Sequence, residues 1–287
     1  ALLALPELIA DALIGEALVA ADKPANLKSA LARLSVVAGE VLNNPVNAQA
    51  FKRKTAELLA TDVDNKKPHK PFHWPLAFPE VFGVDNGGFD AVVGNVPFLG
   101  AKRISGAMGS AFRDYLSKFL VQGNNTQGDL AAYFLLQIYR IIGQYGYLGI
   151  ITTNTIAEGD TRQVGLEPLL GKLGAILYRA HSSEAWPGEA AVVTSRIYMT
   201  KAAWNGNHVL NGDTVNKISA FLSDREEWSL RPLSANADQS FQGSILLGAG
   251  FEIDESKALK MMEADPKNRE VLYPYLGGKE LNTDPEQ

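Results

Sequence analysis

The spacing of apolar residues divides the chain into a helical first part and a connector. Up to about residue 60, apolar side chains recur every three or four positions, as at Leu27, Leu31 and Leu34, which is the spacing of helices with one buried face. The next stretch has prolines at positions 68, 71, 75 and 79, and these exclude a regular helix. We therefore predict a helical segment followed by a proline-rich connector over residues 1–75.

Beyond the connector, short apolar runs alternate with segments of helical spacing. We predict an α/β region at 76–203, with strands at 89–94, 147–152, 175–180 and 190–200 and helices near 108–121, 128–143 and 163–172. Strands punctuated by helices are typical of an α/β sheet. Only a loop joins the last two strands, which predicts an antiparallel hairpin at a sheet edge. The polar sequence of 204–287 indicates the start of a further domain.

The composition is that of an ordinary folded protein, with 46% hydrophobic and 21% charged residues. The net charge of -5 means that any DNA binding would need a local basic surface. The chain has no cysteine, which excludes disulfides and thiolate metal sites and fits a cytoplasmic protein. Glu7, Asp11 and Glu16 interrupt the apolar first helix, so we predict an amphipathic helix and no membrane association.

The stretch FDAVVGNVPFLG, residues 89–100, ends an apolar strand on an amide, a proline and an aromatic ring. In open α/β sheets, ligands bind beyond the carboxyl ends of strands, where loops can present polar groups. Taken alone, four such residues more often form only a strand end and a turn, because Asn, Pro and Gly are common there. The interpretation therefore depends on the surrounding sequence.

GNVPF resembles the Asn-Pro-Pro-Phe/Tyr motif of S-adenosylmethionine-dependent amino-methyltransferases, particularly those that make N6-methyladenine in DNA. The order of further segments is similar to that in large fused restriction-modification methyltransferases: HWPLAFPEVF, FDAVVGN, FLGAKRISGAMG, DLAAYFLL, GYLGIITTNTIAEGDTR and WPGEAAVVTS. The similarity spans about residues 70–200 and extends weakly through FQGSILLGAGF and YPYLGGKELN. It implies the carboxyl half of a Rossmann-like methyltransferase domain, with an N-terminal helical segment and the start of a C-terminal target-recognition domain.

The resemblance implies a role for each residue of the motif. The side-chain oxygen of Asn95 and the backbone carbonyl of Val96 would accept the two hydrogens of an adenine amino group. Pro97 would shape the loop and weakly line the cofactor site, and Phe98 would stack on a base flipped out of the duplex. Double-stranded DNA is the implied partner, S-adenosyl-L-methionine the implied cofactor, and defence against foreign DNA the implied context.

The sequence departs from the family pattern in two places. Val96 stands where proline is usual; it keeps the carbonyl acceptor and an extended backbone before Pro97, but it should leave a free N–H in the loop. The family's glycine-rich cofactor turn is not found before residue 90, and the glycines of 247–256 are a weak signal. We therefore expect the cofactor half to lie before Ala1 in a larger polypeptide, so that this chain alone binds the cofactor poorly.

Four basic residues are candidate DNA contacts. Lys102, Arg103 and Arg113 follow the motif in a glycine-containing stretch, where they could meet phosphates or simply be solvated. Arg162 belongs to EGDTR, which follows the strand at 147–152 and should therefore lie on the same side of the sheet as the motif. EGDTR could contact substrate, although capping of the next helix is the commoner role of such residues.

The remaining polar residues do not predict a metal site or a second catalytic site. His69 and His73 have four-residue spacing, but the neighbouring prolines prevent the helix that would bring them together, so we predict no metal site. Two rival functions stay open. The same motif could methylate another planar amide or amine, such as a protein glutamine, or the chain could be a DNA-binding or scaffold module that kept the fold without activity.

Overall fold

The computed structural model describes residues 3–62, 68–85, 87–121, 127–187, 192–225, 234, 239, 250 and 252–275. Most of FQGSILLGAGF and the end of YPYLGGKELN lie outside these residues. By internal contacts the chain divides into two units, Ala1–Trp228 and Ser229–Gln287. The domain boundaries expected from the sequence, at residues 75 and 203, stay predictions.

The first part of unit one is helical, as predicted. Its helices are α1 (Ala4–Val19), α2 (Leu27–Asn43) and α3 (Ala48–Leu59). They enclose a small apolar core made by Ala12, Leu34, Val41 and Phe51. In the connector, α4 (Trp74–Ala77) and α5 (Pro79–Phe82) are single turns with proline at their first positions, where its missing N–H is tolerated.

The α/β region has the predicted alternation. Its strands are β1 (Phe89–Asn95), β2 (Ile142–Thr153), β3 (Ile176–Ala185), β4 (Val193–Thr200), β5 (His208–Leu210) and β6 (Asp213–Val215). Its helices are α6 (Ala101–Met108), α7 (Ser110–Tyr115), a π-helical turn at Leu116–Leu120, α8 (Leu130–Ile141), α9 (Gly159–Val164) and α10 (Leu166–Gly171). The predicted helix near 108–121 is interrupted at Gly109, whose φ of 90° is unfavourable for other residues.

The described strands form one sheet in the order β1-β2-β4-β3-β5-β6. β1 runs parallel to β2, whereas β4 is antiparallel to both β2 and β3. The predicted β3–β4 hairpin is therefore confirmed, but its expected position at a sheet edge is wrong. Ile197 and Met199 of β4 are fully buried, and an apolar strand of this kind is more stable between two neighbours than at an edge.

The larger core lies between the sheet and α8. Leu135 of α8 is buried with Leu148 and Ile150 of β2 and with Ile197 of β4. Each fully buried aliphatic side chain contributes roughly 1.5–3 kcal/mol of hydrophobic stabilisation, so this contact fixes α8 against the central strands. The loops at the carboxyl end of β1 are therefore built on a rigid base.

Unit two contains α11 (Glu255–Ala264) and a 3₁₀ turn at Pro266–Glu270. The N-cap residue of the turn is Asp265, whose side chain accepts a hydrogen bond from the Lys267 N–H. Among the helices in the described ranges, none has the length and apolar character needed to cross a bilayer.

Burial of His69 gives the fold a predicted dependence on pH. Its ring stacks on Phe112 with 5.2 Å between centroids, and its Nε2 is buried without a hydrogen-bond partner. Burial lowers the pKa of His69 from the ordinary 6.5, an effect only partly opposed by a backbone hydrogen bond with Met108. The unfolded chain therefore takes up this proton more readily than the folded chain, so the stabilisation is complete above pH 6.5 and declines below it.

We expect the free energy of unfolding to fall between about pH 8 and about pH 5.5, and His69→Phe to reduce this fall, because phenylalanine stacks on Phe112 without titrating. Urea unfolding of both proteins at the two pH values measures the difference. An equal pH dependence in the two proteins would contradict the role given to His69.

Candidate nucleic-acid and base-binding site

The predicted motif lies at the carboxyl end of β1, which is an outer strand in the described part of the sheet. Asn95 is the last residue of the strand and pairs with Ile151 of β2. The ring of Pro97 restricts the backbone directly after the strand, on a residue whose nitrogen faces away from β2 in this register. Asn95, Pro97 and Phe98 are exposed, and 38% of the Phe98 surface is accessible.

Val96 differs from its exposed neighbours. Its side chain is 6% exposed and belongs to the larger core. Its N–H donates to the carbonyl of Ile151 at 3.4 Å, so the free N–H expected from the sequence is absent. The β1–β2 hydrogen-bonding pattern simply extends by one residue, and this anchors the peptide that carries the Val96 carbonyl.

The other end of the motif loop is tied to the start of α8. The N–H of Leu99 donates to Asp129 Oδ1 at 3.3 Å, and its carbonyl accepts from the N–H of Leu130 at 3.0 Å. The same Asp129 oxygen caps α8 by accepting from the Ala131 N–H at 2.8 Å. Asp129 was not among the sequence-predicted site residues, although an aspartate before an apolar helical run is a known N-cap signal.

A second polar loop lies beside the motif, because β1 and β2 are parallel and end at the same side of the sheet. After β2, a 3₁₀ turn spans Asn154–Ala157. The hydroxyls of Thr153 and Thr155 are hydrogen-bonded at 2.7 Å, and Asn154 Nδ2 donates to Glu158 at 3.1 Å. These partly exposed and exposed groups form a polar turn at the same end of the sheet as Asn95.

The four predicted basic residues divide into two pairs. Lys102 and Arg103 are exposed at the start of α6 and, with Gly100 and Ala101, line a shallow cavity of about 300 Å³. Within the described ranges neither forms an ion pair. The structure therefore brings these two charges to the surface directly after the motif loop.

Arg113 and Arg162 are bonded within the chain. Arg113 pairs with Asp114 at 2.6 Å. Arg162 pairs with Glu167 at 2.7 Å, with 13% of its side chain exposed, and its guanidinium lies 3.9 Å from the centre of the Phe221 ring. Their contact with DNA stays a prediction, and each already shares its charge with a carboxylate of the chain.

The capping role considered for EGDTR is wrong. Helix α9 begins at Gly159, and its N-cap residue, Glu158, makes no side-chain capping bond. Thr161 instead accepts a hydrogen bond from the N–H of Asp129 at 3.1 Å. EGDTR therefore supports the start of α8 rather than that of α9.

Charged groups also meet near the carboxyl end of β3. Arg196 donates two hydrogen bonds to Glu184, each 2.7 Å long. These bonds, together with the charges of Arg196 and nearby His181, hold the pKa of Glu184 below its ordinary value. Because the pair is exposed, its contribution to stability is small.

The two histidines with four-residue spacing face different partners. His73 lies 2.8 Å from Asp11 of α1, whereas His69 stacks on Phe112. Among the described residues, no group of three histidine or carboxylate side chains could hold a metal ion.

The mixed sheet, its covering helices and the loops at the strand ends define a Rossmann-like α/β fold. A family model described as the Eco57I restriction-modification methylase matches residues 23–166, half of the 287-residue chain. The chain belongs to this family. The match includes the motif, α8 and all of α9, and it begins earlier than the resemblance expected from residue 70.

Among solved structures, the chain is similar to the Type IIL restriction-modification enzyme MmeI, whose structure is described in complex with DNA. The two are 21% identical, with a TM-score of 0.50, over 67% of this chain and 28% of the MmeI chain. This likeness shows the fold alone, and the chain spans little more than a quarter of that enzyme. No curated protein sequence matches the chain.

Proposed function

We propose that this chain supplies the base-binding part of a DNA methyltransferase of a restriction-modification system, which methylates the N6 atom of adenine in double-stranded DNA with S-adenosyl-L-methionine as donor. The observation that carries the proposal is the Asn95–Phe98 motif at the carboxyl end of β1, with Asn95, Pro97 and Phe98 exposed, in a chain of the Eco57I methylase family. Carboxyl ends of strands are the usual ligand sites of such sheets.

The chemistry requires two hydrogen-bond acceptors close together. The lone pair of an adenine amino nitrogen is delocalised into the ring, and it becomes nucleophilic when both hydrogens are held so that the nitrogen can pyramidalise. Asn95 offers its side-chain oxygen, and Val96 offers its backbone carbonyl. Because the Val96 side chain is buried and its N–H is bonded to Ile151, that carbonyl is preorganised even though proline is missing, which is the arrangement that stabilises developing charge.

Phe98 would bind the target base after it has left the DNA duplex. An adenine inside a duplex must be flipped out, at a cost of a few kcal/mol. Stacking on an aromatic side chain returns roughly 1–3 kcal/mol. The Phe98 ring is partly exposed next to Asn95, so it can supply this contact while Pro97 restricts the loop between them.

Lys102 and Arg103 are the best candidates for phosphate contacts. They follow the motif by a few residues, are exposed and have no ion-pair partner within the described ranges. Phosphate contacts of this kind fix the position of DNA without reading its sequence. Arg113 and Arg162 would contribute less, because each already bonds to a carboxylate of the chain.

The described residues do not fit the methyl donor. Within the described ranges no strand precedes β1, so there is no strand-to-helix turn of the glycine-rich kind that holds this cofactor in the family. When bound, the donor supplies an electrophilic methyl group. We propose that its binding residues belong to another part of a larger polypeptide, with Pro97 as a minor contact from this chain.

Calorimetric titration of S-adenosyl-L-methionine into this chain should therefore give no saturable heat at micromolar concentrations. The expected result follows because the described residues before β1 contain no strand-to-helix turn of the cofactor-binding kind. Micromolar binding would contradict this account and would show that the chain has a cofactor site of its own.

Asn95→Ala in the full-length protein should lower kcat for methyl transfer to unmethylated plasmid DNA by about 10²–10³, the range for loss of one preorganised hydrogen-bonding group. Asn44→Ala is the matched control, because it removes an exposed asparagine at the end of α2. Transfer of labelled methyl groups to DNA measures both variants. Unchanged transfer by Asn95→Ala would contradict the proposed role and favour another site.

The double variant Lys102→Ala/Arg103→Ala should weaken DNA binding. Each lost phosphate contact should also reduce the slope of log K against log salt by about 0.9. Lys52→Ala/Arg53→Ala removes an adjacent, exposed pair of the same charge on α3 and should leave the slope unchanged. Fluorescence anisotropy at several salt concentrations tests this, and equal slopes in the two double variants would argue against the assigned phosphate contact.

A further inference from the structure

We propose that Asp129 is a positioning residue for the Asn95–Phe98 loop, acting through Leu99. This inference rests on the proposed function, because it concerns how the base-binding groups are held. A single side-chain oxygen of Asp129 accepts from two amides, the Leu99 N–H at 3.3 Å and the Ala131 N–H at 2.8 Å. One carboxylate therefore joins the motif loop to the first turn of α8.

A second hydrogen bond, made by the backbone carbonyl of Leu99, also holds the motif loop to α8. Its carbonyl accepts from the N–H of Leu130 at 3.0 Å, so both polar groups of this residue are bonded to the start of α8. Upstream, Val96 is bonded to Ile151 of β2. Pro97 and Phe98 thus lie between two anchored residues, and only a short piece of loop can move.

Helix α8 is a suitable anchor because the core immobilises it. Leu130, Ala131, Leu135 and Leu136 are all buried. The helix also packs against β2 and α9, so its first turn cannot shift without disturbing these contacts. A loop bonded to this turn takes on the rigidity of the sheet, which is what a preorganised binding site requires.

A third element holds Asp129 itself. Thr161 of α9 accepts from the Asp129 N–H at 3.1 Å. The segment at Gly128 and helix α9 approach closely, since a Cβ atom on Gly128 would lie 3.0 Å from Val164 Cβ and 3.1 Å from Thr161 Cα. The absence of a side chain at position 128 lets Thr161 reach the Asp129 backbone.

The proposal is tested with three variants of the full-length protein. Asp129→Ala removes both side-chain bonds, Asp129→Asn keeps an acceptor oxygen at the same place, and Thr161→Val removes the support from α9 with little change in shape. Phe51→Leu, in the separate core of the first three helices, is the control for general loss of stability. The measurements are kcat for methyl transfer, KM for DNA, and hydrogen exchange of the Leu99 amide.

We expect Asp129→Ala to lower kcat by about tenfold to a hundredfold, as for misplaced reacting groups, with KM for DNA changed less than twofold and faster exchange at Leu99. Asp129→Asn should restore most of kcat and the slow exchange, and Thr161→Val should lie between the two. Phe51→Leu should change neither kcat nor Leu99 exchange.

Wild-type kcat in Asp129→Ala, or the same loss of kcat in Phe51→Leu, would overturn the positioning role. So would failure of Asp129→Asn to restore activity when the protein is folded. The proposed function fails separately, if the unsubstituted protein transfers no methyl groups to DNA. In that case, slow exchange of the Leu99 amide that is lost in Asp129→Ala would still support the hydrogen bond between Leu99 and Asp129. Exchange that is the same with and without the Asp129 side chain would refute it.

Discussion

The candidate site depends on the point at which the β1–β2 ladder stops. Val96 donates its N–H to Ile151, and the ring of the next residue, Pro97, fixes the backbone torsion with which the chain leaves the strand. At this strand end the side chain of Val96 is part of the core, and the next two side chains are exposed. Asn95 and Phe98 are thereby presented from a rigid strand end, and a flexible loop is not needed to carry them.

The loop after β1, the start of α8 and helix α9 are joined by hydrogen bonds. Leu99 bonds to Asp129, and Asp129 bonds to Thr161, so the motif loop, α8 and α9 share one hydrogen-bond network. Such networks are worth more when every member is satisfied than when one is removed. Under the proposed function, Asp129 and Thr161, which do not touch the base, would influence the geometry of the two acceptors.

The sequence predicted what depends on local signals. The strand ending at Asn95 was found because apolar spacing and proline act within a few residues. The sequence did not predict the internal position of β4, because strand neighbours leave no local pattern. It also did not predict that Arg162 contacts Glu167 and Phe221, because such side-chain contacts depend on how the chain folds. Asp129 had a recognisable capping signal, but its second bond to Leu99 depends on how the elements pack.

The most direct test of the account is to identify the methylated product. DNA from cells that produce the full-length protein, and from cells that do not, is digested to nucleosides and analysed by mass spectrometry. The account predicts N6-methyldeoxyadenosine only where the protein is produced. Methylated cytosine alone, or unmodified DNA together with methylated protein glutamine, would contradict it.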